Sequence, residues 1–297
     1  EQPKIATGQY LVGLLILAAC ETQPTKVFES SRPIVTKTIG SELVRDLTIT
    51  DKTIYIDTRS AFLFNLSHMP GAINLSWQEF AESSGKFRGR LVKDLYHSTR
   101  RLARLGIGSD SSVVVIGDGK QGQGDEGRLA WTLRYLGISD VHFAGKDYFD
   151  QTKWIHAKAA SVPLAREPPW KPNLKKNLIV EFEELQKLKK ASPSQGAKTL
   201  LIDVRSAGEF LKRLPYIVNP TVKVLNIEWR DFIDEKGRPE VAVGKKLSQL
   251  GVVSEQRIVV LGESGVESGL VVEALSALGF SNAGHYVSGM RDLAERK

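Results

Sequence analysis

Sulfur chemistry is almost absent from this chain: its 297 residues hold a single cysteine, Cys20. The five histidines do not cluster at metal-ligand spacing, so neither a metal site nor a cofactor is expected. Long apolar runs are scarce too. Tyr10 to Ala19 is apolar over ten residues, too short to cross a bilayer as a helix. Runs of six basic residues are missing, as are nucleic-acid motifs, so the formal net charge of +7 reads as a solvated basic surface and no nucleic-acid partner is expected. What is present is ordinary for a folded, water-soluble chain: 41% hydrophobic and 25% charged residues, at a length that suits two domains with their own cores.

The lone cysteine closes the apolar run in the order Leu17-Ala18-Ala19-Cys20. An apolar core of ten residues suits a signal peptide. The sequence around the cysteine resembles the lipobox of bacterial lipoproteins, which implies cleavage before Cys20 and lipidation on it. Several acyl chains hold a protein stably at a membrane, at about 0.8 kcal/mol per buried methylene. Expected from this are a signal peptide at residues 1–19 and a membrane partner reached through lipidated Cys20. Residues 20–35 form a polar tether containing Pro24 and Pro33. Glu21 after the cysteine places the protein, by the same resemblance, in the bacterial cell envelope, on the periplasmic face of the outer membrane.

Past the tether the chain repeats itself. Ile54-Tyr55-Ile56-Asp57-Thr58-Arg59-Ser60-Ala61 reappears as Leu200-Leu201-Ile202-Asp203-Val204-Arg205-Ser206-Ala207, with 146 residues between Asp57 and Asp203. Val113 to Ile116 runs into Gly117, and Ile258 to Leu261 runs into Gly262, 145 residues on. Four prolines, Pro163, Pro168, Pro169 and Pro172, mark the join. The expected organisation is a domain at 36–160, a linker at 161–177 and a domain at 178–297.

Within each copy, β-branched runs alternate with helix-like stretches, the pattern of an α/β fold with a parallel sheet flanked by helices. Strands are expected at Thr53–Ile56, Val113–Ile116 and Val141–Phe143, then at Leu200–Ile202, Ile258–Leu261 and His285–Val287. Helices are expected at 91–105 and 128–136, then at 182–190, 241–250 and 270–278. A strand that feeds a glycine-rich turn into a helix presents backbone N–H groups at the helix's positive end.

These pieces together resemble tandem rhodanese domains, as in thiosulfate and 3-mercaptopyruvate sulfurtransferases, over about residues 36 to 297. Asp57-Thr58-Arg59 with His68-Met69-Pro70-Gly71-Ala72 is similar to the family's first signature, and Asp203-Val204-Arg205 is its second copy. Tyr286-Val287-Ser288-Gly289-Met290 resembles the closing signature. The resemblance implies sulfur transfer through a persulfide on a cysteine at the head of the second loop, with an arginine five positions on to hold the anionic donor. The matching positions here are Gly262 and Glu267, and Gly117 stands at the corresponding place in the first copy. A glycine has no nucleophile, so persulfide chemistry at this loop is excluded.

Two readings follow. The first is a lipid-anchored pseudoenzyme that binds an envelope protein or a small anion, with no catalytic residue; its candidate anion site comprises Gly119, Lys120, Arg128, Ser264 and Gly265. The second is an enzyme of altered, hydrolase-like chemistry using Asp118, Asp125 or Ser264, the base being Glu263 or Glu267. Asp57 with Arg59, and Asp203 with Arg205, are expected to pair and fix the loop after each first strand. His68 is expected to be structural, and Trp77, Trp131 and Trp229 to anchor the core or the contact between domains.

Overall fold

The computed structural model describes residues 47–83, 89–156, 167–213 and 219–296. The expected signal peptide, Cys20 and the tether lie outside the described residues. Two parallel sheets of four strands form the frame. The first holds β1 (Ile54–Asp57), β2 (Ile73–Asn74), β3 (Ser112–Gly117) and β4 (Asp140–Gly145) in the order β2-β1-β3-β4. Its copy holds β5 (Thr199–Asp203), β6 (Lys223–Asn226), β7 (Arg257–Leu261) and β8 (Ala283–His285) in the order β6-β5-β7-β8. The central strands are continuous β-branched runs because both of their faces are covered. Val113 to Ile116 and Ile258 to Leu261 are buried throughout.

Helices flank both sheets: α1 (Ala61–Leu66), α2 (Leu95–Arg104) and α3 (Asp125–Leu136) in the first half. The second half contributes α4 (Phe182–Lys189), α5 (Pro193–Gly196), α6 (Ala207–Lys212), α7 (Val241–Gln249), α8 (Val266–Ala277) and α9 (Gly289–Glu295). The repeated Asp-x-Arg-Ser segment fixes each turn out of the first strand in the same way. Arg59 Nη2 donates to Asp57 Oδ2 at 2.7 Å and to the Ser67 carbonyl at 2.7 Å, and Arg205 does the same with Asp203 and the Arg213 carbonyl. Ser60 and Ser206 then cap α1 and α6 by accepting the Leu63 and Glu209 N–H groups.

Register places the two glycines in equivalent positions. Asp57 pairs with Ile116 and Asp203 with Leu261, so Gly117 and Gly262 each follow the last residue opposite the paired aspartate. One departure from the expected strands lies at β8, which ends at His285 instead of beginning there. Gly284 joins the strand because its bare backbone lies against the Asn177 carbonyl, where a Cβ would come within 2.5 Å.

The described residues form one compact unit, and one hydrophobic cluster runs through both halves. Helices α3 and α8 cross at its centre, with Gly127 backed onto Leu270 and Gly269 onto Arg128. Trp131 donates its indole N–H to the Leu178 carbonyl, and Arg134 Nε donates to the buried Glu273 carboxylate at 2.8 Å. The chain expected as a linker is pinned where it is described: Asn173 N donates to the Leu136 carbonyl and Thr99 Oγ1 to the Trp170 carbonyl.

At one edge of this contact three glycines from three segments meet. Gly237 lies on Gly145 and Gly119, and Gly145 N donates to the Lys236 carbonyl at 2.9 Å. Gly237 has φ +69°, and a Cβ there would overlap Gly145 N and lie 2.7 Å from Gly145 Cα. Gly237→Ala is therefore expected to destabilise the protein by about 2 kcal/mol, from left-handed backbone strain and overpacking, measured as a lowered urea midpoint. An unchanged midpoint would show that this seam opens freely.

Candidate functional site

In each half the strand that pairs with the first, β3 or β7, gives way at a glycine, Gly117 ending β3 and Gly262 following β7. The chain then enters a helix through a second glycine with left-handed backbone. Gly124 precedes α3 with φ +87°, and Gly265 precedes α8 with φ +77°. In the second half only Glu263 and Ser264 lie between the two glycines, whereas in the first the loop is four residues longer. Measured from the helix, the two sites carry the same residue. Glu126 is the second residue of α3 and Glu267 the second of α8.

Both glutamates fold back into the loop that precedes them. Glu126 is 1% exposed; its Oε1 accepts the Gly119 N–H at 3.1 Å, and its side chain fills the space beside Gly117. A Cβ on Gly117 would overlap Glu126 Oε2 and lie 2.8 Å from Glu126 Cβ. In the second half Glu267 Oε2 accepts from Ser264 Oγ at 3.0 Å and from Ser264 N at 3.4 Å, and it sits 3.3 Å from where a Cβ on Gly262 would be. Each loop thus gives a backbone N–H to a carboxyl group supplied by the helix that follows it.

Charge around the two loops differs. Burial, with help from Asp125 and Asp118, pushes the Glu126 carboxyl up to about 8, so it is protonated at neutral pH. Burial also raises Asp118 and Asp125, and the Trp77 indole N–H bound to Asp125 Oδ1 at 2.6 Å partly opposes this. Around the second loop Glu263 accepts from Arg213 Nη2 at 2.9 Å, and the buried Arg205 approaches it to 3.9 Å. Among the described residues no group of three or more His, Cys, Asp or Glu side chains is placed to hold a metal ion.

The structure brings Arg128 to Gly265, the chain neighbour of Ser264, and leaves Gly119 and Lys120 with the first loop. Lys120 Nζ pairs with Glu235 at 2.6 Å, across the contact between the halves. Arg128 is 1% exposed, stacked between Trp77 and Trp131, and donates to the Gly89 and Gly265 carbonyls. Burial lowers its pKa to about 9. Its role is to tie α3 to the turn before α8, and the side chain is too enclosed to meet a solute. The Gly119 N–H expected to bind an anion is engaged by Glu126, Ser264 is engaged by Glu267, and Gly265 packs against the Val287 carbonyl. The Gly119 N–H, Lys120, Arg128 and Ser264 Oγ thus each already hold a partner within the protein.

His68 is 5% exposed, stacked on Phe64, with Nδ1 2.8 Å from the Phe64 carbonyl, as a structural residue would be. Trp131 and Trp229 are buried, and Trp77 is half-buried against the same core. Sequence reading missed Glu126 as the counterpart of Glu267. The usable signal was Gly124-Asp125-Glu126 beside Gly265-Val266-Glu267, hidden by the longer first loop. It also missed a buried pair beneath the second loop, Ser268 Oγ and His285 Nδ1 at 2.8 Å, where burial and the neighbouring Arg128 hold the imidazole well below its usual pKa and therefore neutral.

Comparison with known proteins agrees with this geometry. Residues 41–148 match the model of the Rhodanese-like domain. A thiosulfate sulfurtransferase from Gallus gallus is 27% identical over 148 residues, covering 50% of this chain and 49% of its own length, so the match spans about half of that relative. A Haloferax volcanii protein with the provisional name thiosulfate sulfurtransferase is 25% identical over 246 residues, 78% of this chain and 80% of its own. Among solved structures, SseA from Escherichia coli, described for the "rhodanese" fold of 3-mercaptopyruvate sulfotransferases, superposes with a TM-score of 0.62 at 18% identity, over 80% of this chain and 93% of its own. Tum1 from Saccharomyces cerevisiae gives 0.64 at 16% identity, over 84% and 91%. At these identities the solved structures speak to the fold.

Proposed function

We propose that this chain, which folds as two tandem rhodanese-like domains, is a lipid-anchored module of the bacterial envelope that binds a partner and performs no sulfur transfer of its own. One observation carries the reading: at both loops a glycine stands where the strand gives way to the loop, and a glutamate from the following helix lies beside it and accepts a loop N–H. Persulfide chemistry needs a thiolate as the attacking species and a free positive cradle to stabilise it. Here a carboxyl group already accepts an N–H of each loop, and an incoming anion at the second loop meets Glu263 and Glu267. Lipidation at Cys20 and the tether after it support placement at the periplasmic face of the outer membrane.

The experiment is a thiosulfate:cyanide sulfurtransferase assay on purified full-length protein, read against a boiled control, with intact-mass detection of a persulfide. Neither turnover nor adduct is expected, and either one overturns the reading. Gly262→Cys alone is expected to stay inactive because Glu267 remains beside the new thiol; adding Glu267→Arg is expected to allow a persulfide adduct. Membrane fractionation and intact mass of Cys20→Ser test the anchor, with loss of the lipid mass and release from the membrane expected.

One contact favours a second reading. Ser264 Oγ donates to Glu267, the arrangement a serine nucleophile with a carboxylate base would need. A carboxylate with no histidine between it and the hydroxyl is a weak base for this purpose. Ester hydrolysis that disappears in Ser264→Ala would establish this chemistry in place of the first reading.

A further inference from the structure

A cavity of ≈ 400 Å³ lies between the two halves, and no residue of either glycine-rich loop lines it. One wall comes from the segment leading into α2, including Arg90, Leu91 and Lys93; the other from the segment entering α4, including Ile179, Glu181 and Glu183. The apolar part of its floor comes from Leu91, Ile179 and Val287, and polar groups of Tyr135, Tyr286 and Ser288 share the lining. Its volume is near the lower end of ordinary small-ligand pockets, about 300–1,000 Å³.

The charges on these walls are unequal in their commitments. Arg90 and Arg296 are both held by Asp292, and Arg90 Nε also donates to Ser288 Oγ at 2.7 Å. Lys93 on the first wall, and Glu181 and Glu183 on the second, form no ion pair among the described residues. Opposite charges line the same cavity from opposite halves without pairing across it. A ligand that satisfies both has a negative end, a positive end and an apolar body between them.

We propose that this cavity binds a short zwitterionic peptide of about two residues with an apolar side chain, its carboxylate on Lys93 and its ammonium on Glu181 and Glu183. An apolar anion alone would leave the two glutamates facing its body. An apolar cation would meet Lys93, while a purely polar dipeptide would leave the floor unfilled. The site draws on both halves and on none of the loop residues, so it stands whether or not the loops turn anything over.

The test is calorimetric titration of the full-length protein with leucyl-leucine, its N-acetyl form, its C-terminal amide and glycyl-glycine. Binding of the free dipeptide with a Kd below about 1 mM is expected, at least tenfold weaker for each capped form and for glycyl-glycine. Lys93→Glu and the double change Glu181→Lys with Glu183→Lys should each weaken it at least tenfold. These side chains are exposed, so the variants are expected to keep the parent Tm, which confirms that a loss of heat is a loss of binding. No heat with leucyl-leucine at 10-fold the expected Kd, equal binding of free and capped forms, or binding unchanged in both charge variants would each overturn the proposal. Persulfide formation by the unaltered protein would overturn the reading of the loops and leave this site untouched.

Discussion

Gly117→Cys is expected to destabilise the protein by about 4 kcal/mol, whereas Gly262→Cys should cost less than about 1 kcal/mol. At Gly117 the new Cβ overlaps the Glu126 carboxyl and comes within 2.8 Å of Glu126 Cβ. The carboxyl can rotate only by abandoning the Gly119 N–H, and Cβ cannot rotate at all because α3 holds it. Overpacking a rigid core of this kind costs about 1–3 kcal/mol, and an orphaned buried donor about 1–3 more. At Gly262 the nearest atoms, Glu267 Oε2, Ser268 Cβ and Ser268 N, are each 3.3 Å away, close enough to require small adjustments and no more. Urea midpoints of the two variants measure the difference. Adding Glu126→Ala to Gly117→Cys should recover only part of the loss, since Cβ remains; equal losses at the two glycines would contradict the packing described for Glu126.

Stability should fall as pH rises from about 4.5 to about 8, by on the order of 4–5 kcal/mol attributable to Glu126. The folded chain holds this carboxyl protonated up to about 8, whereas an exposed glutamic acid has released its proton by about 4.5. Between those values the folded state binds one proton more than the unfolded state, so raising the pH favours unfolding. The contribution is fully present below 4.5 and lost through 8. Half-buried Asp118 and Asp125 slope the same way. His285 opposes them at lower pH: its folded-state pKa lies well below 6.5, so acidification through 6.5 protonates the unfolded chain first and destabilises the fold. The cleanest interval is pH 6.5 to 8, over which Glu126 should account for about 2 kcal/mol. Glu126→Gln should flatten this interval in urea titrations; a slope that survives the change would assign it to other groups.

The repeat made the fold readable. Aspartate, arginine and serine recur after each first strand, and the strands between them are β-branched, so parallel sheets with helices at their edges follow from residue pattern alone. The Asp57–Arg59 and Asp203–Arg205 pairs form as their two-residue spacing suggested. The short elements α1, α6, β2 and β6 escaped because two to six residues give too little periodicity to register. Strand β8 was misplaced because Tyr286 and Val287 have the higher strand preference, while the approach of Asn177 that admits Gly284 is a long-range contact. Arg128 misled for a related reason: a cation beside a glycine-rich loop reads as an anion ligand, and only the crossing of α3 and α8 reveals that its guanidinium is enclosed by two tryptophans. The contribution of each residue to the loops was set by which half packed against it, information that no local window contains.

A glutamate rooted on the helix that opens each cradle also sets the terms for any visiting solute. Sulfate or thiosulfate must displace a group that never diffuses away, and whose effective concentration exceeds the roughly millimolar level of sites joined by short flexible linkers, because its attachment is a single rigid helix residue. At the first loop the resident group is a neutral acid buried beside Gly117 and Gly119, and at the second it is half-open to water. Competition is thus settled differently at the two sites. The first loop is closed to exchange at any ordinary anion concentration, and the second admits a visitor only when Glu267 swings out, so occupancy there would rise with the fraction of time that one side chain spends away from home.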